Sequence, residues 1–162
     1  MRTIPARTLS AILGRSEDWM RRVWQDRRAS PFPPNFCLMD ALLFLTRMPK
    51  RTRVWKCKID LKLPLITWKA VRNHCYGKRF NEEDFFRGAA LDLVDELWRM
   101  QRDITKDQPS TNQITRGYKR TLRHFVLYAW LGVKIIAFCF DTSMSAVMDW
   151  AVWNSLTANE YA

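Results

Sequence analysis

Residues 54–63 constrain the fold more than any other stretch of the chain. There Trp55, Cys57, Ile59, Leu61 and Leu63 alternate with Lys56, Lys58, Asp60 and Lys62. Alternation with a period of two puts one set of side chains in a core and the other in water, which predicts a half-buried strand. The outward lysines form a basic strip, and lysines on an exposed strand also discourage edge-to-edge aggregation; the pattern fits both uses.

The spacing turns helical after Pro64, with Trp68, Val71 and Cys75 on one side and Gly77 in place to end the helix. A second helix is predicted from Asn81 as N-cap, with Glu82, Glu83 and Asp84 at the positive end of its dipole and Phe86, Ala90, Leu93, Leu97 and Met100 as its apolar stripe. Residues 103–116 are polar, contain Pro109 and lack periodicity, so they read as a long exposed loop. Phe125 to Phe140 is the most apolar run. Gly132 and Lys134 interrupt it, and it falls short of the roughly 20 residues of a bilayer helix, so it predicts buried core. Its aromatic and β-branched content favours two strands turning near Leu131-Gly132. Asp141-Thr142-Ser143 supplies N-cap chemistry for a final helix with Met144, Val147, Met148 and Ala151, carrying Trp150 and Trp153.

Toward the amino terminus, Ser16 caps a short helix that buries Met20, Val23 and Trp24, and Ser30-Pro31-Phe32-Pro33-Pro34 stops it. Ser30 to Phe36 then reads as extended and exposed, and Leu38 to Met48 as a buried helix ending at Pro49. The expected organisation is a basic, proline-containing arm over residues 1–36 and a single core domain over 37–162.

Charge narrows the function. The chain carries a formal net charge of +11 on 162 residues while being 48% hydrophobic with eight tryptophans, a composition that excludes a disordered basic tail. Self-repulsion of that size disfavours a compact state, and its retention points to a negative partner: nucleic acid, an anionic membrane leaflet, or both. Three clusters carry it: Arg21, Arg22, Arg27 and Arg28; Arg47, Lys50, Arg51, Arg53, Lys56 and Lys58, continued by Lys62; and Arg116, Lys119, Arg120 and Arg123. Such a diffuse surface binds phosphates without sequence choice, and no helix-turn-helix, zinc-finger or RNP pattern is present to read bases. Trp19, in the Arg-rich opening, is the tryptophan most expected at a surface.

Enzyme signatures are missing: the sequence has no G-x-G-x-x-G, Walker A, G-x-S-x-G or H-E-x-x-H motif. His74 and Cys75 are adjacent, so on a helix they point about 100° apart and do not form a nucleophile with its base. No metal, cofactor or catalytic activity is expected. Cys37, Cys57, Cys75 and Cys139 contain no C-x-x-C pair and match no zinc spacing, which reads as reduced cytosolic thiols. Residues 1–30 lack the apolar core of a signal peptide. Pro49 to Arg53 (PKRTR) is similar to a nuclear import signal.

Taken in order, the basic arm with its proline motif, the strand running into a helix (TRVWKCKIDLKLPLITWKAVRNH) and the carboxy-terminal IIAFCFDTSMSAVMDWAVWNSL resemble rhabdovirus matrix proteins over about half of the chain. The resemblance implies an α+β core, a small antiparallel sheet packed with helices. It also implies a non-enzymatic structural role: binding nucleocapsid RNA–protein and the inner face of an anionic membrane without spanning it, self-association into homo-oligomers, and budding. The implied locations are the virion, the host cytoplasm and the inner membrane face; the nucleus is suggested only by the Pro49 to Arg53 run. The family's P-P-x-Y motif, which recruits host WW-domain proteins, corresponds to Pro33-Pro34-Asn35-Phe36, where phenylalanine replaces the tyrosine and removes its hydroxyl. The alternative is a small basic viral accessory protein that binds RNA without sequence specificity.

Overall fold

The computed structural model describes residues 1–27, 30–100 and 117–160. In order they form β1 (Ile4–Pro5), α1 (Ala6–Leu13), α2 (Glu17–Arg27), β2 (Asn35–Phe36), α3 (Leu38–Thr46), the 3-10 turn η1 (Lys50–Arg53), β3 (Lys56–Pro64), α4 (Leu65–Lys78), α5 (Glu82–Met100), β4 (Gly117–Val126), α6 (Leu127–Cys139) and α7 (Met144–Glu160). The class is α+β. Two small antiparallel sheets, β1 with β2 and β3 with β4, are packed with the helices. The stretch 103–116, read as a loop, lies outside the described residues, as do Arg28 and Arg116.

The expected strand forms as β3, and its partner is β4. Ile59 lies opposite Leu122, Asp60 opposite Thr121 and Lys62 opposite Lys119, with an irregularity between Cys57 and Ile59. Ile59, Leu61, Leu63 and Leu122 are buried on the inner face. The inward alternation starts later than the sequence predicts: Trp55 precedes the strand and is half exposed, its ring under the Arg51 guanidinium at 5.2 Å.

Phe125 to Phe140 is not a hairpin. Strand β4 ends at Val126 and the chain continues directly into α6, whose residues are buried on nearly every side. A helix enclosed all round has no polar face, so its sequence loses the 3.6-residue period and looks like a fully buried strand. Gly132 does not turn the chain but lets helices approach: a Cβ there would meet Val94 Cγ2 of α5 at 2.5 Å and Leu45 Cδ2 of α3 at 3.3 Å. Helix α7 follows at 110° to α6, with the Ala146 amide donating to Ser143 Oγ at 3.1 Å, as the Asx-Ser linker predicts. No single helix among the described residues is long and apolar enough to cross a membrane.

Residues 1–36 are not an arm separate from the core. Ile4 pairs with Phe36 across β1 and β2, and Ile4, Leu9, Met20, Trp24 and Phe36 join the same buried cluster as Leu61 and Ile136. Ser16 does cap α2, accepting from the Trp19 amide at 3.1 Å. Trp19 itself is half-buried against Phe44 rather than free at the surface. The proline segment prevents helix, as expected, yet its end is a short strand that carries Phe36 inward.

Helix α4 runs through Gly77 and is terminated instead by Arg79, in the left-handed region at φ 56°, with the Phe80 amide returning to the Cys75 carbonyl at 3.0 Å. Its start is fixed to α7 by a buried chain of donors. The Trp153 indole donates to Thr67 Oγ1 at 3.1 Å, and that hydroxyl donates to Asp149 Oδ1 at 2.5 Å. Burial raises the Asp149 pKa above the ordinary carboxylate value, while the hydrogen bonds from Thr67 and Trp153 oppose the shift. The native state therefore keeps this proton to higher pH than the unfolded chain does. The stability contributed by Asp149 is present in full below the unfolded value of about 3.9 and is lost as pH rises through the native value. Urea midpoints of Asp149→Asn are expected to vary less than wild type across that interval; equal slopes would contradict the buried carboxyl.

Candidate polyanion-binding face

The second and third basic clusters, separate in sequence, meet in the β3–β4 sheet, whose two antiparallel strands are joined through α4 and α5. Alternation sends Lys56, Lys58, Asp60 and Lys62 outward from β3, and antiparallel register places Lys119 opposite Lys62 and Thr121 opposite Asp60. Arg123 and His124 are exposed where the register shifts, opposite Lys58. The outer face thus carries Lys58, Lys62, Lys119 and Arg123 around Asp60, and the Glu83 carboxylate of α5 adjoins it by accepting from the Arg123 amide at 3.0 Å. Asp60 accepts from Thr121 Oγ1 at 2.6 Å and lies 3.8 Å from Lys119 Nζ. The Thr121 hydrogen bond, with Lys119 and Lys58 nearby, lowers the Asp60 pKa, so Asp60 keeps its negative charge through mildly acidic pH.

Turn η1 extends the positive surface toward the junction of β4 and α6. Thr52 is buried and donates to the Pro49 carbonyl at 2.7 Å, which pins the turn and leaves Lys50, Arg51 and Arg53 exposed around it. Arg53 covers the Tyr128 ring at 4.7 Å. Burial raises the Tyr128 pKa, and the guanidinium moderates the shift. Among the described residues, Arg47, Lys50, Arg51, Arg53, Lys56, Lys58, Lys62 and Arg123 form no ion pair with a carboxylate.

Arg120 belongs elsewhere. It lies opposite Leu61 on the inner face, covers Trp68 at 4.7 Å and reaches Glu82 Oε2 at 3.4 Å, so it ties β4 to α5 instead of facing a ligand. Its Nη1 and Glu82 Oε1 lack hydrogen-bond partners, and Arg72 Nε stands 3.8 Å from that same carboxylate oxygen. In the first cluster, Arg21, Arg22 and Arg27 lie exposed on α2, with Arg21 over Phe32 at 4.5 Å. The β3–β4 sheet does not gather them.

The Pro33-Pro34-Asn35-Phe36 stretch presents no aromatic handle. Phe36 is 1% exposed and packs edge-on against Trp24, Phe32 and Phe44. A WW-domain groove would require this ring to leave the core. His74 stacks against Phe85, and its pKa is lowered by desolvation and by Lys78, so it is neutral at physiological pH. Cys75 and Cys139 are buried, and burial raises both thiols, Cys139 to about 11. No group of three metal-ligating side chains occurs among the described residues.

The charge is also more segregated than the three clusters suggest. Residues 41–81 hold eleven Lys and Arg against the lone acid Asp60, which is ten of the eleven net positive charges of the chain. Beyond β3 and η1 this stretch includes Lys69 and Lys78 of α4 and its C-cap Arg79. No protein family, curated protein or solved structure matches the chain.

Proposed function

We propose that the protein is a non-enzymatic, matrix-type structural protein that holds a phosphate-rich nucleoprotein against the inner face of an anionic membrane and associates with its own copies during assembly. One observation carries the reading: the β3–β4 sheet and η1 expose cations of which, apart from Lys119 beside Asp60, none forms an ion pair with a described carboxylate. Lys56 and Lys58 lie about 7 Å apart along β3, and Lys62 follows about 13 Å further on, past Asp60. Their contacts with a nucleic-acid strand release counterions and give affinity without base choice.

A second reading, a basic accessory protein that binds RNA alone, is favoured by the polar outer face of the β3–β4 sheet, which offers a bilayer no apolar foothold. Both readings rest first on RNA binding that depends on salt. For single-stranded RNA of unrelated sequences, the logarithm of the association constant is expected to fall linearly with the logarithm of salt concentration, with a slope of about −3 for four or five phosphate contacts. A slope near zero, or strong preference for one sequence, would overturn them. Anionic liposome binding and concentration-dependent oligomers then select the matrix reading over the accessory one.

A further inference from the structure

Helix α4 buries Thr67, Trp68, Val71 and Cys75 and turns Ile66, Lys69, Asn73 and Tyr76 outward at intervals of three and four residues. The outward stripe is only partly polar. Ile66 is 68% exposed, Tyr76 88% and Phe80, just past the helix end, 62%, with Leu65 exposed beside them. Exposed large apolar groups at this density along one helix mark an interaction site rather than ordinary surface.

The charges around the stripe choose the partner. Lys69, Lys78 and Arg79 are exposed and form no ion pair among the described residues, and residues 61–81 contain no acid. Arg72 is not counted with them because Glu82 accompanies it. A second copy of the chain would bring the same cations to the contact. An RNA strand would gain from the rings of Tyr76 and Phe80 by stacking, but the aliphatic Leu65 and Ile66 offer bases no stacking surface. An anionic phospholipid surface satisfies both halves, with apolar side chains entering the headgroup–acyl boundary and cations meeting lipid phosphates and carboxylates.

We infer that α4, with Phe80, is the membrane-contacting element: it lies in the plane of an anionic leaflet with Ile66, Tyr76 and Phe80 inserted and Lys69, Lys78 and Arg79 at headgroup level. The inference rests on the polyanion reading and adds a division of labour, in which the β3–β4 sheet and η1 take nucleoprotein while α4 takes lipid. It needs no movement of the core, because Thr67, Asp149 and Trp153 already fix the helix with this stripe outward.

The test uses the full chain and vesicles of phosphatidylcholine with or without phosphatidylserine, with RNA binding measured on the same samples. Wild type is expected to float with the serine-containing vesicles and not with phosphatidylcholine alone. Ile66→Ser/Tyr76→Ser/Phe80→Ser should lose roughly tenfold or more of that binding while keeping RNA affinity. Tyr76→Ser alone should lose a smaller share and guards against misfolding of the triple variant. Lys69→Gln/Lys78→Gln/Arg79→Gln should abolish the preference for phosphatidylserine. The inference is overturned if wild type binds RNA but not vesicles, or if the apolar variants float like wild type. It is also overturned if those variants lose only oligomers, which would assign the stripe to a second copy. Wild type that binds neither vesicles nor RNA would remove the polyanion reading as well.

Discussion

Reversing three charges on the β3–β4 sheet, Lys58→Glu/Lys62→Glu/Arg123→Glu, is expected to weaken RNA binding at low salt by roughly 100-fold or more and to flatten the salt dependence by about 2 in slope. These side chains are exposed on one sheet face, and none forms an ion pair that the change would break. The loss should therefore appear in affinity while the urea midpoint stays near that of wild type. Asp60→Asn supplies the opposite sign: it removes the acid between Lys58 and Lys62, releases Lys119, and should raise affinity several-fold. If the triple reversal left RNA binding intact, the sheet face would be an ordinary solvated surface. If all sequences lost affinity equally, the absence of base reading would be supported.

Phe36→Ala is expected to destabilise the protein by about 3–5 kcal/mol, the usual cost of deleting a fully buried aromatic ring. The ring centroid lies 5.0 Å from that of Phe44 and 5.4 Å from those of Trp24 and Phe32, so its removal empties the middle of an aromatic cluster. It also loosens the strand that joins β1 to the core. A loss of this size is a large part of a typical folding free energy of about 5–15 kcal/mol. Chemical denaturation checks it, with Pro31→Ala at an exposed neighbouring position expected to change stability by less than about 0.5 kcal/mol. A Phe36→Ala midpoint close to wild type would restore the reading of residues 1–36 as a detached arm and reopen the proline motif to partners.

The parts of the fold that were legible in the sequence were those with a polar side to contrast with an apolar one. β3 announced itself because Ile59, Leu61 and Leu63 alternate with charges, and α5 because Asn81 caps a stripe at helical spacing; the Glu83 amide does donate to Asn81 Oδ1, at 2.8 Å. α6 failed for the complementary reason: enclosed on all sides, it offers no contrast from which to take a period. At Gly77 and Gly132 the glycine signal misled, since one lies within a helix and the other serves close packing against Val94. The proline segment excludes helix by its own chemistry but does not reveal that it leads inward, because local chemistry says nothing about where an extended residue points once another strand pairs with it.

The candidate site shows the same division. Charge, the absence of known catalytic motifs and the outward lysines of β3 are properties of composition and local period, and the sequence determined them alone. Register decided the rest. Pairing β3 with β4 placed Lys119 beside Lys62 and turned Arg120 inward to Glu82, although both side chains look equally basic in the sequence. The tertiary contacts that bury Phe36 and set α4 with Ile66 and Tyr76 outward join residues far apart along the chain, and no local pattern of charge or hydrophobicity specifies which distant partner a segment will meet.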